Sequence, residues 1–170
     1  MNAFEVFGLQ ADTNIDLSAL ASRYRDLQSA VHPDRFANAT DVEQRIAMAR
    51  AVEINDAYNT LKDPVRRAMH LLSLKGIDAL AASDTSMPVD FLMEQVEWRE
   101  ALADAKLKED SERLEEMASE ITSILHSLGD TFAAAWRGEH LPVATTLARK
   151  MRFMQKLGDE VDAALADLEQ

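Results

Sequence analysis

The 170-residue sequence predicts an all-α chain, an N-terminal helical hairpin followed by a C-terminal antiparallel three-helix bundle. Three observations predict it. Apolar residues recur at spacings of three and four along most of the chain, and no segment reads as a strand. Leu, Ala, Glu and Met are abundant, while Gly and Pro together number nine, so little in the composition opposes a helix. Pro33, Pro64, Gly76, Pro88 and Gly138 fall between the periodic stretches, where breakers belong.

The first element is short. Phe4, Val6, Phe7 and Leu9 are apolar, but Gly8 works against a long helix. Asp16 is placed to cap a helix beginning at Leu17. Its stripe is Leu20, Tyr24, Leu27 and Val31, and it must stop near Val31, because Pro33 disfavours helical geometry at His32. A second long helix starts near Asp41. Ile46, Ala49, Val52 or Glu53, Ala57 and Leu61 track its faces, and Pro64 ends it. A shorter helix carries Arg66, Arg67, Leu71, Leu72 and Leu74 and closes at Gly76. Residues 77–88 lack strong periodicity, and Pro88 suits the first turn of the next helix. The expected division is therefore a first domain over 1–75, a connection over 76–88 and a bundle over 89–170. In the bundle, one helix runs from Val89 to about Lys106 and the next from about Glu109 to Trp136. The stripe of that second helix is Leu114, Met117, Ile121, Ile124, Leu128 and Phe132. After Gly138, a last helix carries Val143, Leu147, Met151, Met154, Val161, Leu165 and Leu168. Short links between long amphipathic helices make them antiparallel neighbours.

Charge and cysteine content narrow the function. The net charge is −12, and it is uneven. Residues 1–75 carry nine Lys/Arg against ten Asp/Glu, while residues 76–170 carry nine against twenty. Nucleic acid and anionic membrane are poor partners for the second half, and a basic protein surface is a better one. With no cysteine, the chain offers no disulfide, no thiolate nucleophile and no thiolate ligand set. His32, His70, His126 and His140 are scattered, and no Gly-rich phosphate loop occurs. An enzyme is not expected, nor a metal, nucleotide or other cofactor. No apolar stretch is long enough to span a bilayer and no secretory signal is visible, so a cytoplasmic monomer is the expectation.

The tripeptide His32-Pro33-Asp34 sits between the two long helices of the first half. Pro33 stiffens the loop, so docking of the tip loses less entropy. Asp34 is a carboxylate suited to pair with a partner's Arg, and His32 is able to hold the loop through backbone groups. Tyr24 and Leu27 precede the tripeptide. The run Ile54-Asn55-Asp56-Ala57-Tyr58-Asn59-Thr60-Leu61-Lys62-Asp63-Pro64 comes after it, with Arg67 three residues later. In these residues the chain resembles the J-domain, a helical hairpin whose tip carries this tripeptide. The resemblance implies that His32, Pro33 and Asp34 trigger ATP hydrolysis in a heat-shock chaperone, with Arg25 and Arg35 in the same contact. One departure stands out. Arg23, Arg25 and Arg35 remain from the usual basic face, but Asp26 and Ala30 stand where a basic residue is usual. Weaker steering toward an acidic ATPase surface points to a dedicated chaperone, of the HscA type rather than the DnaK type.

In the bundle, the helix from Val89 has apolar residues on two arcs. Phe91, Trp98, Leu102 and Ala105 share one face, the natural core seam. Leu92, Met93 and Val96 lie on another arc, flanked by Glu97, Glu100 and Asp104. An apolar patch rimmed by acids is a reasonable docking surface for a protein. A helix buried on two sides, against both its bundle and the first domain, gives the same pattern. Phe153 lies about 100° off the last helix's stripe, which puts it at the seam's edge beside the patch. The segments Phe91-Leu92-Met93-Glu94-Gln95-Val96-Glu97-Trp98-Arg99-Glu100, Arg149-Lys150-Met151-Arg152-Phe153 and Leu71-Leu72-Ser73-Leu74-Lys75-Gly76 resemble signatures of the HscB family of co-chaperones, in its bacterial type. The resemblance covers almost the whole chain. It implies that Leu92, Met93, Val96, Glu97, Glu100, Asp104 and Phe153 bind the iron–sulfur scaffold IscU, and that the chain delivers IscU to the HscA-type chaperone. Val96 and Asp104 are conservative departures. Two other readings are a general J-protein delivering unfolded clients to a DnaK-type chaperone and an adaptor with a degenerate J-domain. The missing Gly/Phe-rich linker and zinc module speak against the first, and the intact tripeptide against the second.

Overall fold

The computed structural model describes residues 1–81 and 87–170. All regular structure among them is helical, in two compact units, Met1–Leu74 and Lys75–Gln170. Of the connection expected over 76–88, residues 82–86 lie outside the described residues.

The first unit opens with α1 (Ala3–Val6), where Asn2 and Glu5 form a reciprocal capping box. Gly8, at φ +66°, turns the chain in a conformation that side chains resist. Helix α2 (Leu17–Ala30) starts where Asp16 accepts from the backbone N–H groups of Ser18 and Ala19. It ends before His32, whose ψ of 139° is the extended conformation required ahead of proline. A 3₁₀ turn (Pro33–Phe36) leads to α3 (Asp41–Lys62), which is capped by Thr40. Pro64 does more than stop α3. Asp63 is extended, and its carboxylate accepts from Val65 N–H at 2.8 Å and Arg66 N–H at 3.3 Å, so Pro64 is the first residue of α4 (Pro64–Leu74).

Phe4, Leu20, Ile54, Leu61, Leu71 and Leu72 are almost fully buried in this unit. Polar staples lock the hairpin around them. Tyr24 stacks on Tyr58 with ring centroids 4.0 Å apart, and its hydroxyl and Gln28 both donate to Asn55 Oδ1 across the α2–α3 gap. Arg67 donates to the Thr13 carbonyl at 3.1 Å and the Leu61 carbonyl at 2.7 Å. Its burial lowers the guanidinium pKa, an effect that neighbouring Asp63 opposes. One expected stripe is displaced. On α3 the buried positions are Ala47, Ile54, Ala57 and Leu61, whereas Ile46 and Val52 are more than half exposed and Ala49 is exposed. The α3 sequence carries two overlapping apolar stripes, and periodicity alone does not say which of them faces the core.

The second unit contains α5 (Val89–Leu107), α6 (Ser111–Arg137) and α7 (Leu141–Leu168). Tight links at 108–110 and 138–140 reverse the chain, with Glu109 and Glu139 in left-handed conformations at φ 51° and 58°. The core is built from Leu102, Ala105, Leu114, Met117, Ile121, Met154, Leu157 and Val161. Val143, expected in the last stripe, is instead exposed, and Ala144 and Leu147 are buried there. Among the described residues no helix is long and apolar enough to cross a membrane.

Candidate functional site

Two surfaces hold the residues singled out from the sequence, one on each unit. At the tip of the α2–α3 hairpin, Pro33 opens the 3₁₀ turn and fixes its geometry. The backbone N–H of Asp34 donates to His32 Nδ1 at 3.2 Å, so the imidazole braces the turn from within. Asp34 Oδ2 lies 3.6 Å from the same nitrogen. The Asp34 side chain is 93% exposed and projects into solvent. Arg25 and Arg35 are exposed too, and neither forms an ion pair with a described residue. Arg35 belongs to the same turn as the tripeptide, while Arg25 lies seven residues before His32 on α2. Arg23 is spent differently. Its Nη1 donates to the Phe7 carbonyl at 2.6 Å, tying α2 to the end of the first turn. The hairpin's basic face is thus thinner than the sequence count suggests.

Sequence reasoning missed the apolar surface beside this tip. Val31, Phe36, Ile46 and Ala49 line a shallow groove with Glu43, Arg50 and Glu53 along its length. The signal was present in the residues of α3 that matched an apolar stripe but did not go to the core.

On the second unit, α5 buries Phe91, Leu102 and Ala105, half-buries Trp98, and leaves Leu92, Met93 and Val96 exposed at 45%, 60% and 57%. Within its own unit, α5 therefore turns one apolar arc into the core and leaves the second outside it. Leu92, Val96, Glu100 and Phe153 line one open groove with Gln95, Arg99 and Ala103. Met93, Glu97 and Asp104 do not line it. They sit further round α5, on its outer edge, and Asp104 is paired with Lys108 at 3.1 Å. Phe153 is half-buried. Its ring meets Phe91 edge-on at 5.6 Å, and the Arg99 guanidinium lies 5.4 Å above it. Arg99 also pairs with Glu160 of α7, so one cation fixes the ring and clamps α5 to α7. Arg99 was the missed residue here. With Leu92, Val96 and Ala103 it forms an i, i+4, i+7, i+11 row, a signal legible in the sequence.

Neither surface is a cleft with paired acids and bases, and among the described residues no cluster of His, Asp and Glu is arranged to hold a metal ion. Both are convex or shallow faces suited to macromolecules.

Comparison with known proteins agrees with this two-part layout. Residues 2–70 match the DnaJ domain, and residues 87–162 match the family described as the HSCB C-terminal oligomerisation domain. A co-chaperone protein HscB homolog of Shewanella halifaxensis is 42% identical, an alignment covering 98% of this chain and all of that protein. Among solved structures, the chaperone HscB from Vibrio cholerae superposes with a TM-score of 0.86 at 37% identity, covering 99% of each chain. The human co-chaperone protein HscB superposes at 0.89 with 28% identity, covering 96% of this chain and 81% of the human one.

Proposed function

This chain belongs to the HscB family of J-domain co-chaperones, and from that premise we propose that it couples one client, the iron–sulfur scaffold IscU, to the ATPase cycle of an HscA-type chaperone. The carrying observation is the presence of two separate exposed surfaces on one chain. One is a preorganised turn with a solvent-facing carboxylate, and the other is an apolar patch with an acidic edge.

On the first surface, His32, Pro33 and Asp34 present the charge that the chaperone reads. The turn is held by a local hydrogen bond and a proline, so little order remains to be imposed on docking. Asp34 pairs with a chaperone Arg, and Arg25 and Arg35 extend the contact. On the second surface, Leu92, Met93, Val96 and Phe153 supply the apolar anchor for the scaffold, and Glu97, Glu100 and Asp104 its charged border. The chain itself does no chemistry in this scheme. It raises the local concentration of client at the chaperone and stimulates hydrolysis there. The site of action is the cytoplasm, with the chain as a monomer.

Pull-down from a bacterial lysate tests the client half. A single small scaffold protein is the expected catch. A broad set of unfolded proteins supports a general J-protein instead, and an empty bait contradicts client delivery altogether.

A further inference from the structure

Helix α7 is divided by charge. Over residues 141–156 it carries four cations and no acid, and over 157–168 four acids and no cation. The cationic half is out of character with a C-terminal unit that is otherwise strongly acidic. Three of its cations share a side with Phe153, because Arg149, Arg152, Phe153 and Lys156 fall at i, i+3, i+4 and i+7. Together with Gln95 of α5 they line a second depression, whose apolar members include Leu80 and Met87. It adjoins the groove lined by Leu92, Val96 and Glu100, since Gln95 and Phe153 belong to both. Arg149 donates to the Ala79 carbonyl at 2.8 Å and serves to build the wall. Arg152 and Lys156 are exposed, and neither forms an ion pair with a described residue.

Across the apolar floor stand the acids. On the α5 wheel, Glu100, Asp104 and Glu97 occupy successive positions on the edge farther from Gln95, while Gln95 faces the α7 side. The two charged borders therefore run along opposite sides of a mostly apolar strip, crossed beside Phe153 by the internally paired Arg99 and Glu160.

We propose that Arg152 and Lys156 are scaffold-recognition residues and that this face is a bipolar dock. It takes a partner whose apolar ridge is flanked by basic side chains on one side and acidic ones on the other. This inference rests on the proposed scaffold-binding reading and deepens it. A single-signed rim would attract a basic partner in many rotational settings. Borders of opposite sign oppose the reversed setting with like charges on both sides at once, so they fix the orientation in which the scaffold is presented.

Calorimetric titration of the full chain with an IscU-type bacterial scaffold tests this at low and high salt. Arg152→Glu with Lys156→Glu is expected to weaken binding about tenfold or more at low salt, and by much less at high salt. The melting temperature should hold, because both side chains are exposed. Arg152→Lys with Lys156→Arg should keep the affinity. Glu97→Lys with Glu100→Lys reports on the opposite border and should weaken binding as well. If the acidic-border variant weakens binding and the basic-border reversal leaves it unchanged, the bipolar dock is wrong while scaffold binding stands. If the unmodified chain fails to bind the scaffold, both readings fall. A basic-border reversal that alters self-association in sedimentation, and not scaffold affinity, would also overturn the proposal by assigning the face to a second copy of the chain.

Discussion

At the hairpin tip the Asp34 carboxylate is almost fully solvated, and it lies 3.6 Å from an imidazole nitrogen already engaged by a backbone N–H. So exposed a charge contributes little to folding. Asp34→Asn is therefore expected to abolish stimulation of the chaperone ATPase while leaving the far-ultraviolet circular dichroism unchanged. Equal steady-state stimulation by the variant would remove the tripeptide from the mechanism. His70 behaves in the opposite way, because it is used inside the fold. Its ring stacks on Phe4, and its Nε2 accepts from the Ala3 N–H at 3.1 Å, which holds α1 in place. Burial keeps the imidazole pKa below its ordinary value, so the folded chain resists a proton that the unfolded chain takes up. The unfolded state binds more protons in that window, so this contribution is complete above a pH of about 6.5 and is lost as pH falls below it. Thermal melts between about pH 7.5 and pH 5.5 should show the loss, and His70→Gln, whose amide oxygen is able to accept the same bond, should flatten that segment of the curve. An unchanged slope in the variant would show that His70 does not control it.

Helix boundaries were legible in the sequence wherever a cap or a proline marked them. Asp16 and Pro33 are cases where a single residue's backbone restriction or side-chain acceptor decides the end of an element. Facing direction was harder to read. Helices α6 and α7 present one dominant stripe each, and most of their expected core positions are buried. Helices α3 and α5 carry apolar residues on more than one arc, and only the packing of neighbouring helices selects the buried one. On α5 that selection left Leu92, Met93 and Val96 outside, and on α3 it left Ile46, Ala49 and Val52 outside. The groove was partly legible, since Leu92, Val96, Glu100 and Phe153 converge on it and Arg99 falls in the same row of α5, while Gln95 became evident only when α7 was set beside α5. A triple truncation of Leu92, Met93 and Phe153 to Ala tests this face. Loss of such anchors commonly costs roughly 1–3 kcal/mol of binding each, so scaffold affinity should fall more than about a hundredfold. Leu92 and Met93 should each contribute no more than about 0.5 kcal/mol to folding stability. Phe153 contributes more, because its ring is half-buried against Phe91 and beneath Arg99. A calorimetric titration and a thermal melt on one sample separate the outcomes. A sharp melting loss makes the patch core, and normal affinity in a folded variant removes it from the interface.

At the scale of the whole molecule, the two units divide the work proposed for the chain. The first is nearly neutral and ends in one preorganised carboxylate, while the second is strongly acidic and bears the apolar face. Because the surfaces lie on separate units, each should fail independently. Asp34→Asn should still bind scaffold, and the triple truncation should still stimulate the ATPase when no scaffold is present. The two activities should meet only in the ternary reaction. The most direct measurement is the steady-state ATPase of an HscA-type chaperone with the full chain, the IscU scaffold, or both. Chain and scaffold together are expected to stimulate hydrolysis well beyond the sum of either alone, and Asp34→Asn and the triple truncation should each abolish the excess. Stimulation by the chain that is the same with and without the scaffold would contradict client delivery as its function.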